Sequence, residues 1–399
     1  MNYISRTLEG KLREAGGKYP LLLLSGPRGA GKTTLLQKLA SEDRAYVSLS
    51  DERARKLAKK DPDRFFEMHK PPIFIDDAEE VSSLFLTLPL SSARPGDYWL
   101  AYSGRLPEKV YFEENQAALF ELAPLSMMEI DGISLAPFEF SLKKLEMAET
   151  LAPRRSDRDI FREIWTGFMP AVRGGMDRAA FYAGYVSSLI ETDVKKHVRL
   201  RSSRKFLDFL MVLAADDDQS LNYEGLAREA DINPVTARKW VHLLEALGVI
   251  YFLPAYTHPS LKKAIRTSKL YFADTGLVCY LRNRNSPVAA MTGGLREALY
   301  NNYIISEIRK SYIHQGIRKQ LYYYREANKR EIPLLFEEGG FLHPVDFSLS
   351  SHPTLPTMAD FSMLDDSGIS RNPGGTIAMI REPKPFKNGS RAVPVSFLG

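Results

Sequence analysis

Along its first 130 residues the chain alternates short apolar runs with amphipathic stretches, the pattern of buried parallel strands joined by crossover helices. Residues 21–24, four leucines, read as a strand, and residues 33–41 continue as a helix. Residues 45–49 read as a second strand, 72–75 as a third and 98–102 as a fourth. Residues 51–69 are charged and helical, with Pro62 as a break. From about residue 131 to 155 prolines enter and clean alternation is lost; a helical pattern then runs over 157–201, interrupted at 167–175. Residues 203–281 form a compact unit. Within it, 223–231 and 235–248 read as two short helices flanking the turn Ile232-Asn-Pro234, and residues 249–253 look like a strand. That order matches a winged helix-turn-helix. From about residue 293 a last domain mixes helix and strand, with Leu321-Tyr-Tyr-Tyr-Arg325 as one strand, while residues 350–399 are rich in Pro, Gly and Ser and weakly patterned.

Composition narrows this picture only a little. At 399 residues the chain is too long for one ordinary core. Its 54 basic and 49 acidic residues leave a formal +5, which permits a polyanionic partner without requiring one. The single cysteine, Cys279, can form neither an internal disulfide nor a Cys-rich zinc site, which fits a reducing cytoplasm. Residues 1–6 lack the apolar region of a signal peptide, and the run 21–24 is far too short to span a bilayer. The expected location is cytoplasmic, with no membrane partner. The histidines show no H-x-x-x-H spacing, so none is assigned to a metal.

The candidate chemistry begins at Gly26-Pro27-Arg28-Gly29-Ala30-Gly31-Lys32-Thr33-Thr34, which fits G-x-x-x-x-G-K-[ST] between an apolar strand and a helix. Gly26, Gly29 and Gly31 let the backbone curl so that its N–H groups face phosphates, and the helix beginning near Lys32 adds its positive end. Lys32 is expected to reach the β- and γ-phosphates of ATP, and the Thr33 hydroxyl to coordinate Mg²⁺. A carboxylate site is expected at the end of a buried strand, and residues 72–77 (Pro-Ile-Phe-Ile-Asp-Asp) supply it. Asp76 is assigned to the Mg²⁺ shell and Asp77 to positioning the attacking water, together with Lys32 as the catalytic pair.

With these residues in view, the chain resembles the AAA+-type ATPases that carry a C-terminal DUF4143 domain. The resemblance rests on residues 26–34, Tyr46-Val-Ser-Leu-Ser-Asp51, Lys60-Asp-Pro62, Asp76-Asp77 and Leu122-Ala-Pro-Leu-Ser126. It continues through Ile164-Trp-Thr-Gly-Phe-Met-Pro170, residues 223–247 and Lys269-Leu-Tyr-Phe-Ala-Asp-Thr-Gly-Leu277. It implies an α/β P-loop ATPase core (1–130), a helical lid (131–202), a winged helix-turn-helix (203–290) and a C-terminal domain similar to restriction-endonuclease-like nucleases (291–399). The chain departs from the family pattern in several places. Asp77 stands where a glutamate is usual, Tyr102-Ser103 where Thr-Gly-Ser is usual, and Thr192 where an arginine often precedes Asp193. In the nuclease-like domain the metal-binding positions correspond to Asn301, Glu331-Ile-Pro333 and Asp346-Phe-Ser348; only Asp346 survives in kind, so a catalytically dead scaffold is expected.

The helix-turn-helix leaves two readings open. Arg238 and Lys239 could meet DNA, helped by Lys195, Lys196, Arg199, Arg201, Arg204, Lys205, Lys262, Lys263, Arg266 and Lys269 on its flanks. Alternatively the unit is a spacer, acidified by Asp216, Asp217, Asp218, Glu224, Glu229 and Asp231. The function expected is that of a Mg²⁺-dependent ATPase, a hydrolase whose nucleotide state repositions the later domains. An arginine finger is expected from a neighbouring subunit of a homo-oligomer; Arg105 is a weak candidate. The rival readings are an ATP-occupancy switch without turnover and a DNA-binding regulator with structural nucleotide.

Overall fold

Four leucines followed by Ser-Gly make β1 (Leu21–Gly26), buried along its whole length. Alternation across the pleat sends them to two cores. Leu21 and Leu23 meet Val47, Ile73, Ile75 and Leu100, whereas Leu22 and Leu24 meet Leu8, Leu12, Leu35 and Leu36. A strand buried on both faces belongs in the middle of a parallel sheet. The computed structural model places it there, describing residues 3–106, 112–140, 142–200, 202–215, 220–261, 264–355 and 358–398. The sheet runs β2 (Ala45–Ser48), β3 (Ile73–Asp76), β4 (Tyr98–Ser103), β1, β5 (Ala117–Glu121), all parallel.

Four of these strands match the sequence reading to within a residue or two. β5 was not foreseen. It is a half-buried edge strand, Ala-Ala-Leu-Phe-Glu, whose hydrophobic signal is weak and whose place is set by pairing Leu21 with Ala117.

Beyond the sheet the chain turns helical. Helix Asp157–Thr166 opens with a reciprocal capping box between Ser156 and Asp159. It is followed by Pro170–Arg173 and by Arg178–Ser188, which runs through a π turn at Leu189–Val194. Helices Ser203–Leu213, Tyr223–Glu229 and Pro234–Ala246 form a three-helix unit, the last two capped by the side chains of Asn222 and Asn233. Trp240 fills it, with ring centroids 4.9 Å from Phe206 and 5.3 Å from Phe209. The antiparallel pair β6 (Ile250–Leu253) and β7 (Lys269–Phe272) closes the unit.

The last part packs helix Arg296–Ile313 against a mixed sheet ordered β12, β13, β11, β10, β9, β8. Its strands are β8 (Tyr322–Arg325), β9 (Glu331–Glu338), β10 (Phe341–Ser348), β11 (Gly375–Ala378), β12 (Lys384–Pro385) and β13 (Arg391–Pro394). β11 to β13 lie inside the stretch that reads as weakly patterned. Strands of two to four residues offer too few positions to show a period of two. One hydrophobic core runs from Met127 through the helices and the three-helix unit into this sheet, including Tyr182, Trp240, Tyr303 and Val393.

Candidate functional site

The turn between β1 and helix Lys32–Leu39 carries the phosphate-binding signature. Gly26, Gly29 and Gly31 have φ of 146°, 80° and 96°. A Cβ at Gly26 would stand 2.1 Å from the Leu122 carbonyl oxygen, so only glycine passes there. Gly31 caps the helix without a side chain, so no side chain competes for the first-turn N–H groups, the arrangement that receives anions. Lys32 is buried, and its ammonium donates to the carbonyls of Gly26 (2.9 Å) and Pro27 (3.0 Å). Burial lowers its pKa to about 8, against the pull of Glu79 first, then Asp76. At pH 7 it remains a cation.

The sequence-assigned metal residues come together. The Thr33 hydroxyl donates to Asp76 Oδ1 at 3.1 Å, and the Tyr46 hydroxyl donates to Oδ2 at 3.1 Å. A hydroxyl and a buried carboxylate in contact, beside a glycine-rich turn that opens a helix, fit an Mg²⁺-nucleotide. The other residues of the turn serve varied ends. Ala30 is buried and Thr34 is exposed. Pro27 lies under Gly248, where an added Cβ would come within 3.4 Å of its Cα. Arg28 is held by Asp193 through two hydrogen bonds of 2.8 and 2.7 Å.

Past β3 the acids diverge. Asp77 takes a left-handed backbone, φ 55°, and accepts from the Ser48 hydroxyl at 2.7 Å. Glu80 pairs with Lys196 and lies 4.0 Å from Arg55. Glu79 accepts from the backbone N–H of Ser103, at the end of β4, at 2.8 Å. Burial raises its carboxyl above the ordinary range, and the Ser103 hydrogen bond and the Lys32 charge pull it part of the way back. Glu79, Arg28, Ser103, Arg105 and Asp193 line a cleft of about 1110 Å³.

Other parts of the chain converge on the phosphate turn, a fact that local motifs did not reveal. A Cβ at Gly29 would lie 3.7 Å from Phe181 and 3.8 Å from Met169, and one at Gly31 would lie 3.6 Å from Pro170. Met169 and Pro170 belong to the Trp-Thr-Gly-Phe-Met-Pro segment, and that segment is pinned by the Asp-Thr-Gly-Leu motif. Asp274 Oδ1 accepts from Phe168 N (2.6 Å), its Oδ2 from the Tyr182 hydroxyl (2.5 Å) and Leu277 N (3.0 Å), and Thr275 donates to the Ile164 carbonyl. From the three-helix unit, Glu245 pairs with Arg105, and the Ala246 carbonyl accepts from Arg105 N at 2.7 Å. Arg105 is thus an exposed surface arginine that also ties this edge of the site to the three-helix unit.

Beneath the turn lies a buried ionic cluster that sequence reasoning missed because its members are 300 residues apart. Arg6 donates to the Ala30 carbonyl at 2.8 Å and to the Ala123 carbonyl at 2.7 Å, and its Nε stands 3.1 Å from Glu129. Glu129 is 3.3 Å from His314 Nδ1, and Lys310 pairs with Glu307 at 2.8 Å while donating to the Leu125 carbonyl. Two cations already balance two carboxylates. Burial lowers the His314 pKa to about 4 despite the pull of Glu129, with Arg6 and Lys310 adding to the depression. Below pH 6.5 the unfolded chain takes up a proton that the folded chain excludes, so stability is lost as pH falls from 6.5 toward 4. The expected loss is on the order of 2–3 kcal/mol. Denaturant titrations at several pH values should show this slope, and His314→Gln should flatten it; an unchanged slope would contradict a neutral buried imidazole.

The remaining expected sites are less concentrated. Arg238 and Lys239 are exposed on helix Pro234–Ala246, Arg238 with its guanidinium 5.8 Å from the Tyr223 ring centroid. Of the flanking basic residues, Lys195 pairs with Glu191, Lys196 with Glu80, Arg204 with Asp208, Lys205 with Asp231 and Lys269 with Glu331. Arg199 and Arg266 are exposed. Arg201, Lys262, Lys263 and Asp216 to Asp218 lie outside the described residues. In the last domain, Asp346 is buried and accepts from Ala359 N (3.1 Å) and the Thr376 hydroxyl (3.4 Å). Among the described residues no group of three His, Cys, Asp or Glu side chains could hold a metal, and no helix is long and apolar enough to cross a membrane.

Family models match in three blocks: an AAA domain over residues 18–130, a domain of unknown function, DUF8612, over 157–288, and the domain of unknown function DUF4143 over 296–398. The chain joins an AAA-type ATPase domain to a DUF4143 domain. Uncharacterized proteins of Mycobacterium tuberculosis and Mycobacterium bovis are each 25% identical over 371 residues, covering 90% of this chain and 77% of the relative. Among solved structures, a Walker-type ATPase of Pyrococcus abyssi aligns at 14% identity with a TM-score of 0.38, covering 69% of this chain and 94% of that one.

Proposed function

We propose that this AAA–DUF4143 chain binds ATP with Mg²⁺, hydrolyses it, and passes nucleotide state from the phosphate turn to the helical, winged-helix and C-terminal parts. One observation carries the reading: the turn that would hold the phosphates is contacted directly by three later parts of the chain. Met169, Pro170 and Phe181 flank Gly29 and Gly31, within 3.8 Å of where a side chain there would begin; Asp193 holds Arg28; and Gly248 packs on Pro27. Arg6 continues the contact from the Ala30 carbonyl to Glu129 and His314. A phosphate entering the nest must displace the Lys32 ammonium from the Gly26 and Pro27 carbonyls, and any shift there is felt by these neighbours. Thr33 and Asp76 would hold the metal, which when bound supplies positive charge to the phosphate oxygens.

The test combines Mg²⁺-dependent turnover with hydrogen exchange. Turnover is expected, with ATP changing amide protection by about tenfold or more at residues 167–173 and 245–248. Tight binding without turnover would replace the ATPase with the occupancy switch, and unchanged protection would remove the coupling. Duplex DNA is expected to leave the rate within about twofold, since most of the described basic flank is already paired. Strong, salt-sensitive stimulation lost with charge reversal at Arg238 and Lys239 would instead favour the DNA-binding reading.

A further inference from the structure

Three acids follow β3 at the edge of the site, and the structure shows how each uses its oxygens. Asp77, the residue that its position next to Asp76 nominates for activating water, is turned by its left-handed backbone onto the Ser48 hydroxyl. Glu80 is engaged by Lys196 and Arg55. Glu79 differs from both. Its Oε2 is fixed by the Ser103 amide, while its Oε1 is buried and has no hydrogen-bond partner among the described residues. A buried carboxylate oxygen without a donor is costly to maintain unless something else supplies one. Glu79 lines the cleft beside Arg28 and Ser103, and of the carboxylates acting on the Lys32 ammonium it exerts the strongest pull. A water admitted beside it would supply the missing donor.

We infer that Glu79, rather than Asp77, is the catalytic base that accepts the proton of the attacking water. The assignment rests on the reading that the chain hydrolyses ATP. In the step, the water oxygen bonds to the γ-phosphorus, and the bond from that phosphorus to the bridging oxygen breaks, its electron pair leaving with ADP. The water proton passes to Glu79 and then to solvent, so ATP and water become ADP, phosphate and a proton. The Ser103 amide, at the end of β4, holds the carboxylate in place through the oxygen that does not take the proton.

Full-length wild type, Glu79→Gln and Asp77→Asn are compared for MgATP affinity and for single-turnover hydrolysis. Glutamine keeps an oxygen for the Ser103 amide and removes only the base. Glu79→Gln is expected to bind MgATP within about threefold of wild type while its hydrolysis rate falls by about a hundredfold. Asp77→Asn is expected to keep both within about fivefold. Near-normal hydrolysis by Glu79→Gln would overturn the assignment, as would a loss of binding equal to its loss of rate, which would mark a structural role. A hundredfold loss confined to Asp77→Asn would move the role to Asp77. A wild type that binds ATP without turning it over would instead bring down the ATPase reading, and this assignment with it. If Glu79→Gln does not fold, Glu79→Asp carries the test: charge kept, reach shortened by one methylene, binding retained and rate down by about tenfold or more.

Discussion

Lys32→Ala is expected to lower kcat/KM for ATP on the order of a thousandfold while leaving thermal stability nearly unchanged. The two effects separate because of what surrounds the side chain. The ammonium is the cation of the phosphate nest, and removing it takes away the charge meant for the β- and γ-phosphates. Its present partners do not depend on it. The Gly26 carbonyl also accepts from Gly104 N at 2.8 Å, and the Pro27 carbonyl from Ala30 N at 3.3 Å. Alanine therefore orphans neither acceptor and relieves a buried charge whose pKa is already lowered by desolvation. Nucleotide titration and thermal melts on the same sample check both halves. Retained ATP binding would refute the site, and a collapsed melt would show that the lysine is structural.

Asp274→Ala is expected to destabilise the fold by about 3–5 kcal/mol. The carboxylate is 2% exposed and satisfies Phe168 N, Leu277 N and the Tyr182 hydroxyl at once. Truncation takes the acceptor from two buried N–H groups and leaves the Tyr182 hydroxyl only the Thr166 carbonyl at 3.4 Å, and asparagine repairs only part of the loss because its amide would face donors. There is no room for the turn to rearrange. Gly167 has φ 82°, and a Cβ there would meet the Tyr182 hydroxyl at 2.0 Å. Because this turn carries Met169 and Pro170 onto Gly29 and Gly31, ATP affinity is expected to fall along with the unfolding midpoint. Denaturant unfolding with and without MgATP measures both; a stable variant with normal affinity would show that the motif does not hold the turn.

The residues that read most clearly from sequence are those whose role is carried by their own backbone or nearest neighbours. The glycines of residues 26–31 and the leucines of β1 declare a nest and a buried strand because local geometry demands them there. The Thr33 hydroxyl and Asp76 are in hydrogen-bond contact, brought together by the order of strands in the sheet, with β4 between β1 and β3. Arg105 is exposed, and nothing local announces its partners, Glu245 and the Ala246 carbonyl, because they lie 140 residues away. The Asp-Thr-Gly-Leu run stood out as a family mark, yet nothing in its composition said that it braces the segment over the P-loop.

The sequence by itself marked the α/β P-loop domain, β1 as a buried strand, and the residues expected to meet phosphate and metal. These follow from periodicity, backbone permission and short-range spacing, all of which are local. The tertiary structure alone decided how the acids after β3 use their oxygens, which residues flank the phosphate turn, and that Arg6, Glu129 and His314 share one buried cluster. Those outcomes depend on which side chain takes which oxygen or carbonyl across long loops. A left-handed Asp77, a Ser103 amide and a helix ending at His314 settle that competition only once the chain has closed on itself.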